Sequence, residues 1–215
     1  MGMVMYFTEK GAVELLMTGY IYKAVDELPK YFTTLVVIPA SDHMFKRNNS
    51  GKRLGEKGAI LFRRIVERFL FVINHASIDI HPTVVFLTTS MQESDEDYWK
   101  NLQCLKQHLH GTHEMALHLN CDDLNIIHWW LYASYVVHNY IKVHTGATMY
   151  IGRVYVTSMS KKHNINTTRS TQGEVVGVYD TSPQMMWNRY FLSNQGFKID
   201  NSILYHYNKS AILLE

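Results

Sequence analysis

The sequence predicts an α/β protein in which a small helical region precedes a mixed β-sheet with flanking helices. Hydrophobic residues make up 47% of the 215 residues, which is enough to bury a core in one medium domain or two small ones. Helical periodicity dominates the chain as far as Gly111, and short runs of β-branched and aromatic residues follow it. We therefore divide the chain into two regions, 1–112 and 113–215.

Two helices are predicted in the first region. Over residues 55–75, Leu61, Ile65 and Phe69 recur at four-residue spacing, which is typical of one apolar helix face. Over residues 95–109 a similar apolar stripe ends two residues before a glycine, the residue type that most often follows a helix end. Both helices belong to one small helical unit.

The first of these helices also has a basic side. Lys57, Arg64 and Arg68 fall together on a face away from the apolar one, within a segment, 46–68, that holds eight basic residues and two acidic ones. The net charge of +2 gives the whole chain no polyelectrolyte character, so any nucleic-acid contact has to come from a local patch. This face is either the ordinary solvated side of an amphipathic helix or a surface that contacts phosphates.

The second region predicts three strands, a helix, a strand and a last short helix. The helix should begin near Ser170 or Thr171, be bent or broken by Pro183 and end at Gln195-Gly196. The predicted strands cover residues 125–137, 144–151, 153–158 and 202–207, and the last helix covers residues 209–214.

Several different short motifs occur along the chain in a fixed order. Residues 77–80 read Ser-Ile-Asp-Ile, and residues 99–112 read WKNLQCLKQHLHGT. The motifs that follow are residues 144–146 (HTG), 158–162 (SMSKK), 169–174 (RSTQGE), 187–192 (WNRYFL) and 205–211 (YHYNKSA). In this order they resemble the motifs of Ty1/copia-type retrotransposon Pol proteins over nearly the whole chain.

The resemblance implies the C-terminal part of a reverse transcriptase followed by an RNase H-like domain. Residues 1–112 would be a remnant of the reverse-transcriptase thumb or connection. Residues 113–215 would be a partial RNase H-like domain, with a mixed sheet and flanking helices, truncated at its C-terminus. The fold class expected for the chain is therefore α/β and RNase H-like.

The resemblance also marks three candidate catalytic positions. RNase H enzymes cleave the RNA strand of an RNA–DNA hybrid with two Mg²⁺ ions held mainly by carboxylates. Glu174 is retained, whereas Tyr132 and Tyr207 stand where the family has aspartates. A phenol with a pKa of about 10 is neutral at pH 7 and is a poor ligand for Mg²⁺. The chain therefore resembles a polymerase and nuclease, and we expect that it has lost nuclease activity.

Several functional alternatives remain open on the sequence. The chain is an inactive fragment with weak nucleic-acid binding at most, a working RNase H or reverse-transcriptase subunit completed by another chain, or a host-adopted nucleic-acid-binding module. We expect no cofactor, with Mg²⁺ relevant only if nuclease activity persists, and no protein metal site. The expected partners are RNA–DNA hybrid, other nucleic acid or longer Pol products, and no membrane.

Two cysteines, Cys104 and Cys121, form no disulfide framework, which favours a reducing compartment and hence an intracellular location, cytoplasmic or nuclear. His113 and His118 nearly complete a zinc-protease motif, but their five-residue spacing does not align two histidines on a helix.

Two residue groups have alternative interpretations. Thr171 and Glu174 have the spacing of a capping box, in which the carboxylate would bond back to the helix start instead of serving catalysis. The aromatic group of Trp129, Trp130, Tyr132 and Tyr135 either packs into a core on one strand face or stacks on nucleic-acid bases.

Overall fold

The computed structural model describes residues 2–9, 11–29, 34–41, 44, 51–120, 124–138 and 142–213. Two compact units are formed, one by Met1–Glu9 with Val13–His118 and the other by Lys10–Ala12 with Leu119–Glu215. Helices combine with sheets of mixed strand direction, so the predicted α/β class is confirmed. Of the residues discussed above, residues 46–50, Cys121 and residue 214 lie outside the described part of the chain, as does the side chain of Tyr135.

The first unit is built mainly from helices. Its helices are α1 (Thr18–Asp26), α2 (Glu56–Ile73), α3 (His81–Thr88) and α4 (Glu96–Thr112). The two helices predicted from apolar periodicity, α2 and α4, are confirmed. Their inward faces form the core, in which these side chains are fully or almost fully buried: Phe62, Ile65, Phe69, Leu102, Leu105 and Leu109.

The prediction of a helical first region is incomplete, because residues 1–112 also contain two short strands, which form a sheet with a third in the order β1-β2-β3. The strands are β1 (Val4–Glu9), β2 (Ala12–Leu16) and β3 (Leu117–Asn120). Gly11 lies between β1 and β2 with φ +88°, a conformation that glycine adopts readily and that tight turns between strands require. The glycine between two short apolar runs was the sequence signal for this pair of strands.

The second unit contains a four-stranded sheet and two helices. Its elements are β4 (Ile126–His138), β5 (Lys142–Ile151), β6 (Val154–Lys162), α5 (Ser170–Asn194), β7 (Asn201–His206) and α6 (Lys209–Ile212). The strand order is β6-β5-β4-β7, with β4 antiparallel to β5, β5 antiparallel to β6, and β4 parallel to β7. The predicted order of strands and helices is confirmed, with ends shifted by a few residues.

Helix α5 packs on one face of this sheet. Ile127, Trp129, Ala147 and Met149 form the buried core on that face. A Cβ placed at Gly177 would lie 2.9 Å from Thr145 Oγ1 and 3.4 Å from Leu131 Cδ2, so glycine permits the close approach of helix and sheet. The face of β4 that carries Leu131 is therefore the face that α5 covers.

Pro183 does not break α5, contrary to one of the two predicted outcomes. The helix continues from Ser170 to Asn194 with Pro183 inside it. Pro183 and Tyr179 are both exposed. Because proline has no backbone N–H, the carbonyl of Tyr179 lacks its usual helical hydrogen bond. Water can reach that carbonyl on the outer side of the helix, which reduces the cost of the missing hydrogen bond.

Replacing Gly177 with alanine should destabilise the second unit. The new methyl would meet the Thr145 side chain at less than normal contact distance, so the helix or the strand has to shift, at a cost of about 1–3 kcal/mol. Gly58→Ala in α2 is the control, because only Leu54 Cβ lies near its Cβ position, at 3.6 Å. Thermal unfolding followed by circular dichroism should show a lower melting temperature for Gly177→Ala alone, and equal melting temperatures would contradict the close packing.

Candidate functional site

The candidate site is centred on Glu174, a buried carboxylate in the first turns of α5. Its side chain is 7% exposed, and its Oε2 atom accepts a hydrogen bond of 2.9 Å from the backbone N–H of Ala133 in β4. His206, at the end of β7, places its Nε2 atom 3.2 Å from the same oxygen, and its side chain is 2% exposed. The site therefore joins one helix and two neighbouring strands.

The parallel pairing of β4 and β7 brings these groups together. His206 of β7 pairs with Leu131 of β4 in the parallel register. Leu131 lies two residues before Ala133 on β4. Because side chains alternate along a strand, Leu131 and Ala133 share one face, the face that α5 covers. Glu174 on α5 thus reaches the backbone of β4 and the end of β7 at once.

Glu174 does not cap its own helix, so the capping-box prediction was wrong. The helix start is bonded instead by Gln172, whose Oε1 accepts from Thr168 N at 3.0 Å and from Thr168 Oγ1 at 2.9 Å. Arg169 is the N-cap residue and its side chain makes no capping hydrogen bond. With Gln172 serving the helix start, the Glu174 carboxylate is available to the sheet.

The ring of His206 has a contact at each of its two nitrogens. The backbone N–H of Asn208 donates to His206 Nδ1 at 3.2 Å. Nε2 makes no hydrogen bond of good geometry, although it lies at contact distance from the carboxylate. The attraction between His206 and Glu174 is therefore electrostatic.

Burial dominates the electrostatics of the carboxylate. Loss of solvent raises the pKa of Glu174 above its ordinary value, and the nearby His206 and the Ala133 N–H lower it in part. The net shift is upward, so this carboxyl is harder to ionise than a solvent-exposed glutamate.

The two tyrosines at the expected aspartate positions do not line this site. Tyr132 lies between Leu131 and Ala133 on β4 and is 59% exposed, so strand alternation directs it to the face away from α5. Tyr207 directly follows β7 and is 76% exposed. Of the three catalytic positions that the resemblance marks, only Glu174 is buried against the sheet.

The donor set around Glu174 does not fit a pair of Mg²⁺ ions. It consists of one carboxylate already bonded to a backbone N–H and one imidazole, whereas Mg²⁺ requires several oxygen ligands in octahedral order. Asn208 Oδ1 accepts from Ala211 N at 3.1 Å, which caps α6. Within the described residues, no three His, Cys, Asp or Glu side chains are grouped as a metal site requires.

The predicted basic face of α2 is largely paired. Arg64 Nε lies 3.2 Å from Glu27 Oε2, and Arg68 forms an ion pair with the other oxygen of the same carboxylate. Lys57 is exposed. Exposed ion pairs contribute little to stability, but a shared carboxylate cancels part of the positive charge that phosphate binding would use. The structure thus favours the solvated-face interpretation for Arg64 and Arg68.

A row of aromatic side chains lies on the sheet face that α5 leaves uncovered. The rings of Trp130 and Tyr205 stack with centroids 4.3 Å apart and 16° between planes, and His128 stacks on Tyr205 at 5.8 Å. Trp130 is 43% exposed, whereas its neighbour Trp129 is 1% exposed and belongs to the core. The prediction that these aromatic residues pack into a core is therefore confirmed for Trp129 and is wrong for Trp130 and Tyr132.

Comparison with known proteins leaves the site to be interpreted from its own geometry. No family model, no curated protein and no solved structure matches the chain. None of the helices in the described ranges combines the length and apolar character that crossing a bilayer requires. The interpretation of the site therefore depends on the motifs in the sequence and on the contacts of Glu174.

Replacing Glu174 with glutamine tests how the buried carboxyl changes the free energy of unfolding with pH. Because burial raises the pKa of Glu174 in the folded chain above 4.5, the folded state binds this proton more tightly than the unfolded state. The stability from this group is thus present at acid pH and is lost as pH rises through the folded pKa. Urea unfolding should show wild type losing stability relative to Glu174→Gln as the pH rises above about 4.5. A relative gain over the same range would contradict the burial effect.

Proposed function

We propose that the chain is a non-catalytic fragment of a copia-type retrotransposon Pol protein, comprising the end of a reverse transcriptase and an RNase H-like module. The observation that carries this proposal is the state of the three candidate catalytic positions. Glu174 is buried and bonded to Ala133, whereas Tyr132 and Tyr207 are exposed phenols. Glu174 acts in this proposal as a structural link between helix and sheet.

The arrangement of the second unit supports the RNase H-like part of the proposal. The family resemblance implies a mixed sheet in which three strands precede a helix and a further strand. The second unit has antiparallel β4, β5 and β6, then α5, then β7 parallel to β4. The same resemblance assigns the helices before residue 112 to a thumb or connection remnant.

The loss of activity follows from coordination chemistry. Two-metal hydrolysis needs anionic oxygens on both ions, to activate water and to stabilise the leaving oxygen. The phenols of Tyr132 and Tyr207 are neutral ligands and Glu174 is a single carboxyl with a raised pKa. Ligands of such a centre act together, so the loss of two removes most of the rate.

A hybrid-cleavage assay tests this proposal. With labelled RNA–DNA hybrid and either Mg²⁺ or Mn²⁺, the chain should cleave no faster than its Glu174→Ala variant, because neither protein assembles the metal pair. Turnover by the chain clearly above that variant would refute the loss of activity.

The same assay distinguishes the alternative in which another chain completes the enzyme. Under our proposal, adding a catalytically inactivated longer Pol product leaves cleavage at background. Cleavage that appears only in the mixture, and that Glu174→Ala abolishes, would support a working RNase H or reverse-transcriptase subunit completed by that partner.

A second candidate function, binding of single-stranded nucleic acid, is favoured by the stacked Trp130 and Tyr205. Aromatic rings on an open sheet face stack on bases without regard to sequence. Across the sheet from Tyr132, the same face carries Gly146 of β5 and Ser160 of β6, and no atom lies within 4 Å of a Cβ placed at Gly146. This surface differs from the basic face of α2 first expected to bind nucleic acid.

Fluorescence anisotropy with a labelled single-stranded oligonucleotide checks the second candidate. Trp130→Ala should weaken binding by roughly 5- to 150-fold, the loss of one stacked base. The double variant Arg64→Gln and Arg68→Gln should change affinity by less than about twofold, because the aromatic surface does not include these groups and Glu27 already offsets part of their charge. If the double variant weakened binding and Trp130→Ala did not, the basic face of α2 would be the binding surface.

A further inference from the structure

The outer side of α5 carries a row of exposed apolar side chains that the proposed function does not use. We define the outer stripe as Tyr179, Pro183, Met186, Trp187, Tyr190 and Phe191. Their spacings of three, four and one residues place them on one side of a helix. Pro183 is exposed, and the other five side chains are 78%, 56%, 57%, 60% and 46% exposed in chain order. Trp187 and Phe191 stack with centroids 5.1 Å apart.

The other side of α5 is already used for packing on the sheet. Gly173, Gly177, Thr181 and Asn188 are buried there, and Asn188 contacts Met149 of β5. A helix on a protein surface normally has a polar outer face opposite its packed face. Helix α5 instead has small and polar residues buried at the sheet and large apolar side chains exposed on its outer side, so its outer stripe requires a separate explanation.

The outer stripe has no charged residue. The charged residues of α5 are Glu174, Asp180 and Arg189. Glu174 is buried at the sheet, Asp180 lies 3.4 Å from Lys161 Nζ, and Arg189 donates to the Asp200 carbonyl at 3.4 Å. A polyanion would meet no cation on the stripe, and a helix that lies on a lipid surface usually combines its apolar face with several basic residues. These observations favour an uncharged protein surface as the partner.

The exposed area matches what a modest protein interface buries. With about 200 Å² for each complete side chain, the exposed fractions give roughly 600 Å² on one copy. This is at the upper end of the largest apolar patch on a typical monomer, roughly 300–600 Å². Two such stripes pressed together bury roughly 1,200 Å² in total, the lower limit for a stable specific interface.

We propose that the outer stripe binds the outer stripe of a second copy of this chain, with the two α5 helices antiparallel about a twofold axis. The stripe is centred near Met186, so an antiparallel pair superimposes the two stripes along their whole length. No like charges face each other in such a pair, and every aromatic ring of one copy can pack against apolar surface of the other. This homodimer is independent of whether the chain came from a Pol protein.

Sedimentation velocity of the full chain tests the proposal. From about 1 to about 100 µM, wild type should shift from monomer to dimer, and Tyr190→Lys should raise the dimer dissociation constant by at least about tenfold because it buries an unpaired charge. Tyr22→Lys is the matched control, since Tyr22 is also on a helix and is 57% exposed. Equal weakening by both variants, or monomer at every concentration, would overturn the proposal.

A charge-complementation experiment identifies the second copy directly. Met186→Lys and Met186→Glu should each be monomeric, and an equimolar mixture should recover the dimer, because position 186 lies next to itself across the twofold axis. Circular dichroism spectra equal to that of wild type establish that the variants are folded. Failure of the mixture to associate, or monomers that bind vesicles of neutral lipid through Tyr190, would overturn the assignment to a second copy.

Discussion

The second unit depends on one buried contact, the hydrogen bond from the Ala133 N–H to the Glu174 carboxylate. It joins the beginning of α5 to the middle of β4, and the neighbouring His206 extends the contact to β7. A buried carboxyl is costly unless its oxygens have partners, so the contact fixes where α5 can lie on the sheet. The same contact occupies the one carboxylate that the family resemblance retains.

The alternation of side chains along β4 gives the sheet one face that packs against α5 and one open face. Leu131 and Ala133 face α5, so Trp130 and Tyr132 are directed to the open face. The packed face holds the core and the buried Glu174, and the open face carries the stacked Trp130 and Tyr205. A tyrosine at position 132 costs little on the open face, where its hydroxyl remains in contact with water.

Periodicity in the sequence predicted the elements well and their contacts poorly. Leu61, Ile65 and Phe69 located α2, and the mixed order of strands and helices in the second unit followed from short apolar runs. The role of Glu174 did not follow, because Gln172 and Glu174 can each bond at a helix start and only the tertiary fold selects Gln172. The sequence did not predict the outer stripe of α5 either, because apolar and polar residues of this helix are not segregated into a packed apolar face and a solvated polar face.

The central claim is that Glu174 holds the sheet and not a metal ion. It is tested most directly by NMR of the Ala133 amide and the Glu174 carboxyl while Mg²⁺ is added to the chain with RNA–DNA hybrid present. Both signals should stay in place over the whole titration, because the carboxyl remains bonded to the backbone of β4. A saturable shift of both signals, absent when Mg²⁺ is added without hybrid, would contradict it.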